Sequence, residues 1–371
     1  MNDDVRVEYD VTSSPMKARS PHGDARKTTQ MTSKTLRVCV VNAKRLNFDD
    51  TVDFSSIARA IGASVAGKTV DDDGNDTELL VYDDASPDEE EIASRASMCD
   101  VIVTKEVEVD IKRLPDSVRL VCEAGTGYNN IDVAEAARRG VTVCNVPAYS
   151  TDAVAQLVIT FVLSLNVSLV EQHRALHAGD RSHFQSFEGL GKYSMREAEQ
   201  KVIGLVGGTG AIGAKVAQLA NALGMKVLVC SRSATSTKEW DAVTLDELLA
   251  RSDFVSLHCP LNEHTRGLID LRALAKMKPT ARIINTARGA LIVEADLIYA
   301  LEAKIIAGAA LDVQECEPPR DDSPLYSMPQ VYLTPHIGWK RIETRQRLVD
   351  SVATTIARYL AGNPINVVSP R

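Results

Sequence analysis

The sequence predicts an α/β protein of two doubly wound parallel-sheet domains, and three observations carry that expectation. Short apolar runs alternate with helical periodicities along most of the chain, the pattern of successive βαβ units. One strand-to-helix junction holds a glycine loop of the GxGxxG type, Gly208-Thr209-Gly210-Ala211-Ile212-Gly213. The length, 371 residues, suits two domains at roughly 100–200 residues each.

The elements follow in order. Residues 1–34 mix charge with many Ser and Thr, include Pro15 and Pro21, and show no apolar period, so they read as a disordered tail. A transit peptide would be Arg-rich and poor in acids, whereas Asp3, Asp4, Glu8 and Asp10 stand at the front, so a targeting signal is the lesser reading. The apolar run at 36–41 is a buried strand, followed by further strands at 79–82, 101–103 and 120–122 with helical stretches between them. The acidic run at 71–76 reads as a solvated loop rather than a metal site, since no EF-hand spacing follows it.

Ser150 or Thr151 is expected to cap a long helix whose apolar stripe is Val154, Leu157, Val158, Phe161, Val162 and Leu165. That helix could be a spine between domains or a dimer contact. A second βα series runs from Lys201 to Leu333. A last helix, carrying Leu348, Val352, Ile356 and Leu360, stops at Gly362 and Pro364. If it crosses back to the first domain, that domain is discontinuous, residues 35–147 plus 341–371, around an inserted domain at 148–340.

Charge and cysteine content exclude several function classes. Lys and Arg number 42 against 50 Asp and Glu, a net charge of −8, which is the reverse of a nucleic-acid footprint. Hydrophobic residues at 44% supply an ordinary core, yet no run approaches the ~18 apolar residues of a membrane span. Seven cysteines, odd in number and without a CxxC pair, read as reduced thiols in a cytoplasmic compartment. No residue spacing suggests a metal.

The glycine loop has the context that its chemistry needs. An apolar run at 202–206 precedes it, and a helix bearing Ile212, Val216, Leu219, Ala220 and Leu223 follows, ended by Gly224. In this unit Gly208 would allow the tight turn, Gly210 a close approach of backbone to pyrophosphate, and Gly213 close packing of helix on strand. The helix N-terminus then holds phosphate. The fold of this part is therefore expected to be Rossmann-like. An NAD site places an acid at the end of the next strand. Here that strand ends Cys230-Ser231-Arg232, a hydroxyl and a guanidinium suited to a 2′-phosphate, so NADP(H) is preferred and NAD(H) is the alternative.

Other apolar runs of the second half also end in polar groups: His258, Cys259 and Pro260; Thr286 and Arg288; Asp312; and Pro335-His336-Ile337-Gly338. In an open parallel sheet the carboxyl ends of the strands share one edge, outside which ligands bind. Hydride transfer to a carbonyl needs a proton donor, a role for His336, with Glu317 to fix its ring. Arg288 can fork onto a carboxylate. Asp312 is expected near the nicotinamide carboxamide.

Taken together, these motifs resemble the D-isomer-specific 2-hydroxyacid dehydrogenase family. The resemblance rests on Gly125-Thr126-Gly127-Tyr128-Asn129-Asn130-Ile131-Asp132, on Asn145-Val146-Pro147-Ala148-Tyr149-Ser150-Thr151, on the glycine loop, and on Ser256-Leu257-His258-Cys259-Pro260. It continues through Asn285-Thr286-Ala287-Arg288-Gly289, Leu311-Asp312-Val313, Glu317-Pro318 and Pro335-His336-Ile337-Gly338. It implies catalysis by Arg288, Glu317 and His336. It also implies backbone amides at Ala124, Gly125, Thr126 and Gly127 around the substrate carboxylate. It carries cofactor contacts onto Ala211, Ile212, Cys259, Thr286 and Asp312; with the residues read directly, the candidate cofactor set adds Gly208, Gly210, Gly213, Ser231, Arg232, Pro260 and Gly338. The family's form has a cleft between the two domains and is usually a homodimer.

The stretch at 145–151 resembles the branch of glycerate dehydrogenases and of hydroxypyruvate and glyoxylate reductases. Two departures stand out. Gly207 precedes Gly208 where one glycine is expected, which lengthens the loop. Thr104-Lys105-Glu106 stands where much of the branch has Thr-Asn-Lys, so either Lys105 substitutes or Glu106 points away from an anionic substrate. The activity implied is NADP(H)-dependent reduction of a small 2-oxo acid such as hydroxypyruvate or glyoxylate. The alternatives are an NAD-dependent phosphoglycerate dehydrogenase, which the Ser231-Arg232 pair disfavours, and a dinucleotide-sensing corepressor-like protein of the same fold. Formate dehydrogenase chemistry would want Gln where Glu317 stands.

Overall fold

The computed structural model describes residues 35–63, 69–70 and 76–369. The expectations for residues 1–34 and for 71–75 of the acidic run lie outside that set, while Asp76, read as loop, opens a strand. Two parallel-sheet α/β domains make up the described chain. The first sheet has six strands: β1 (Thr35–Val40), β2 (Thr69–Val70), β3 (Asp76–Val81), β4 (Val101–Thr104), β5 (Leu120–Glu123) and β6 (Thr142–Cys144). Their order is β2-β3-β1-β4-β5-β6, parallel except for the two-residue edge strand β2. Strands β4 and β5 are buried along their whole length, which is why they read as unbroken apolar runs rather than alternating ones.

The second sheet has seven strands: β7 (Val202–Val206), β8 (Lys226–Cys230), β9 (Asp241–Ala242), β10 (Phe254–Leu257), β11 (Arg282–Asn285), β12 (Gly308–Leu311) and β13 (Val331–Leu333). All run parallel in the order β13-β12-β11-β10-β7-β8-β9. The register aligns their carboxyl ends: Val206 pairs with Leu257, Leu257 with Asn285, Asn285 with Leu311 and Leu311 with Leu333. The residues that follow, Gly207, His258, Thr286, Asp312 and Thr334, therefore form one row.

The helix Thr151–Asn166 buries every member of the stripe read from sequence and shares a core with the helix Ala211–Ala222. Its start differs from expectation. Ser150 occupies the cap position without a capping hydrogen bond, and Thr151 Oγ1 donates backward to Ala148 O at 3.0 Å. The helix Ala211–Ala222 ends as expected, with Gly224 at φ +73° and amides of Gly224 and Met225 turned back onto Asn221 and Ala220. The last helix, Ile342–Leu360, packs Leu348, Val352 and Ile356 into the core of the first sheet. Arg345, almost wholly buried, ties it down through Asp49 Oδ2 at 2.6 Å and Leu46 O at 2.9 Å. All seven cysteines are free, with Cys316 exposed.

Candidate active site

The glycine loop closes β7 and opens the helix Ala211–Ala222. The left-handed residue of its turn is Gly207, at φ +82°, where a Cβ would stand 2.7 Å from Cys259 N. Gly208, expected to make that turn, has no positive φ; a Cβ there would instead press on Leu205 at 2.8 Å. The additional glycine thus carries the turn and lets the loop lie against Cys259. Gly213 behaves as expected, since a Cβ would meet Gly208 Cα at 2.5 Å. Gly210 takes the helix cap without any side-chain bond, so no capping side chain competes with an anion for the first helix amides, those of Ala211, Ile212 and Gly213. Ser231 reaches this loop from the end of β8, its Oγ 2.8 Å from Thr209 Oγ1, while Arg232 is exposed beside it.

Two atoms of the aligned row lack partners among the described residues: His258 Nε2 and Thr286 Oγ1, both buried. Burial pushes the His258 imidazole down to about 4, which keeps it neutral. Orphaned polar atoms along the edge of a dinucleotide fold, next to uncapped helix amides, fit a bound nicotinamide nucleotide.

Asp312 organises the turn that carries the candidate acid. Its carboxylate accepts from Thr334 Oγ1 at 2.6 Å, Ile337 N at 2.7 Å and Gly338 N at 2.9 Å, and its carbonyl accepts from His336 N at 2.9 Å. The turn places His336 at φ +51°, a conformation rare for a side-chain-bearing residue. From there His336 Nδ1 meets Glu317 Oε2 at 2.8 Å. Burial raises the Glu317 carboxyl, but the hydrogen bond and charge of His336 outweigh it and leave the group below its ordinary range. Gln314 N adds a bond to Oε1 at 3.2 Å.

Arg288 leaves β11 through a side-chain turn in which Asn285 accepts from Ala287 N at 3.0 Å and donates to Arg288 O at 2.8 Å. Its guanidinium lies directly on the loop after β5: a Cβ at Gly127 would overlap Arg288 Nη2. The structure therefore brings an arginine from one sheet onto the glycine loop of the other. The amides of Ala124 and Gly125 are already engaged, by Thr104 O at 2.7 Å and Glu123 O at 2.8 Å. Of the four amides expected at a carboxylate, those of Thr126 and Gly127 remain without a backbone partner among the described residues. Pro260 O accepts from Thr265 Oγ1 at 2.7 Å and shapes the loop after β10.

Sequence reasoning singled out Lys105 and Glu106 but missed Glu123, around which a buried polar cluster forms under this loop. Glu123 accepts from Thr104 Oγ1 at 2.9 Å, Glu106 N at 3.1 Å and Asn130 Nδ2 at 3.2 Å. Lys105, almost wholly buried, places Nζ 2.6 Å from Glu106 Oε1 and 4.0 Å from the centre of the Trp339 ring. Burial opposes the Lys105 charge, but Tyr149, Glu106 and Glu123 hold its pKa above the ordinary value. The available signal was an acid closing an otherwise apolar strand, Leu120-Val121-Cys122-Glu123. Among the described residues no metal-ligating cluster exists, and no single helix is long and apolar enough to cross a membrane.

Known proteins resemble this chain in sequence and in fold. A profile of the D-isomer specific 2-hydroxyacid dehydrogenase NAD binding domain matches residues 159–338. A hydroxypyruvate reductase of Blautia hydrogenotrophica is 36% identical over 298 residues, 79% of this chain and 92% of its own. An acyclic imino acid reductase solved in complex with NADPH and D-Arg superposes with a TM-score of 0.76 at 28% identity, over 90% of this chain and all of the other. A glyoxylate reductase from Paecilomyes thermophila gives 0.75 at 27% identity, over 91% of this chain and 99% of its own.

Proposed function

The chain belongs to the D-isomer specific 2-hydroxyacid dehydrogenase family, oxidoreductases that act on CH–OH groups with a nicotinamide dinucleotide, and on that premise we propose that it reduces hydroxypyruvate, glyoxylate or a similar small 2-oxo acid with NADPH. The observation that carries this reading is the His336–Glu317 pair at 2.8 Å on the edge that also gathers the orphaned Thr286 and His258 atoms.

In this reading Arg288 and the Thr126 and Gly127 amides take the substrate carboxylate, a charge-assisted fork that fixes the carbonyl in place. The nicotinamide, when bound, supplies hydride to the carbonyl carbon. His336 holds a proton on Nε2, since Nδ1 is turned to Glu317, and delivers it to the carbonyl oxygen. The imidazole left behind is reprotonated from solvent, and the Glu317 carboxylate balances its charge in the protonated state. Asp312 acts at one remove by fixing the turn. With the whole chain acidic, attraction of an anionic substrate must come from these local donors.

Preference for NADP(H) is supported by the basic, acid-free end of β8 at Ser231 and Arg232. A homodimer is part of the same proposal, supported by Phe184 and Phe187, which are 77% and 93% exposed; a cytoplasmic location rests on the cysteine count alone. The test is a panel of 2-oxo acids assayed with NADPH and with NADH. Turnover of hydroxypyruvate or glyoxylate, faster with NADPH, is expected, and no turnover of any 2-oxo acid overturns the reading.

A further inference from the structure

Glu106 closes β4 at a point where a carboxylate is unexpected. It takes a left-handed φ of +53°, a conformation that costs energy in a residue with a side chain and persists when surrounding contacts enforce it. Those contacts are specific. Oε1 lies 2.6 Å from Lys105 Nζ and Oε2 lies 3.6 Å from Arg45 Nη2. Lys105 Nζ in turn sits 3.3 Å from the position of a Gly125 Cβ, beneath the substrate loop, and against Trp339, three residues beyond His336. The Glu106 charge also reaches His336 and Glu317. Lys340, which also feels the Glu106 charge, is held by Pro335 O at 2.7 Å. A substrate anchored by its carboxylate at Thr126 and Gly127, with its oxygen at His336, would therefore lie within the field of the Glu106 charge.

We propose that Glu106 is a specificity-determining residue that offsets the Lys105 and Arg45 charges in advance, so that the site accepts 2-oxo acids with a neutral or hydrogen-bond-donating C3 group and rejects those carrying a second anion there. This deepens the reading above and rests on it. Lys105 does not stand in for a free lysine, because Glu106 pairs with it at 2.6 Å. A hydroxymethyl group can donate to the Glu106 carboxylate. A phosphate or second carboxylate meets the Glu106 carboxylate with Lys105 and Arg45 already drawn to it, and like charges at this range are strongly unfavourable.

The experiment compares kcat/KM for hydroxypyruvate with kcat/KM for 3-phosphohydroxypyruvate and oxaloacetate in the wild type and in Glu106→Gln. The wild type is expected to favour hydroxypyruvate, and the variant to lose roughly 10- to 100-fold of that discrimination, because Lys105 and Arg45 become free for the second anion. Arg45→Ala, a change at a half-exposed side chain that leaves the fold intact, is expected to move the ratio the other way. A wild type that turns over hydroxypyruvate, with ratios unmoved in both variants, overturns the Glu106 role and leaves the reductase reading standing. A wild type inactive on every 2-oxo acid overturns that reading and this one with it.

Discussion

Glu317 Oε2 and His336 Nδ1 lie 2.8 Å apart although 19 residues separate them in sequence. The bond fixes which ring nitrogen is turned to the carboxylate and leaves Nε2 for the substrate oxygen. Replacing His336 by Ala is expected to lower kcat by roughly 10²- to 10⁴-fold while NADPH affinity, measured by fluorescence titration, stays within about threefold. Glu317→Gln should cost less, since the hydrogen bond can survive while the charge is lost. A His336→Ala enzyme with wild-type kcat would remove the proton-donor role.

Cofactor choice is expected to reside at the end of β8. Ser231 already touches the glycine loop through Thr209, so a ribose phosphate held there would lie within reach of the Arg232 fork. Arg232→Ala should reduce the ratio of kcat/KM for NADPH over NADH by roughly tenfold or more, chiefly by raising KM for NADPH. An unchanged ratio would show that selection lies elsewhere.

Much of this site was legible because the relevant residues punctuate apolar strands: His258, Thr286 and Asp312 follow β10, β11 and β12 directly, and the parallel register does the rest. What was not legible depends on partners distant in sequence. Nothing local distinguishes the amides of Ala124 and Gly125, already bonded, from those of Thr126 and Gly127. The sequence places the Asp312 carboxylate beside the cofactor but does not show that three donors from the turn at 334–338 engage it. Gly207 looked like an irregularity in the fingerprint and is the residue that makes the turn, because only the approach of Cys259 from another strand reveals the demand.

His258 makes folding stability sensitive to acid. Burial lowers its pKa from 6.5 to about 4, so the folded protein keeps it neutral where the unfolded chain protonates it. Its contribution is complete above about pH 6.5 and is lost progressively as pH falls toward 4, up to about 3 kcal/mol at ~1.4 kcal/mol per pH unit. Urea unfolding at neutral and mildly acid pH should show this loss, and His258→Gln should flatten it. An equal acid loss in the variant would assign the effect to carboxylates instead.

Gly127 offers a way to separate positioning from stability. A Cβ there overlaps only the guanidinium of Arg288, the end of a flexible side chain, so Gly127→Ala can fold by pushing Arg288 aside. The displaced fork then no longer meets the carboxylate, and a misplacement of this kind costs on the order of 10²-fold in kcat/KM, seen mainly as a higher KM for the 2-oxo acid. Thermal stability should stay near that of the wild type. A variant that loses stability but keeps its KM would place Arg288 outside substrate binding, because the side chain that the methyl displaces would then be holding the fold rather than the ligand.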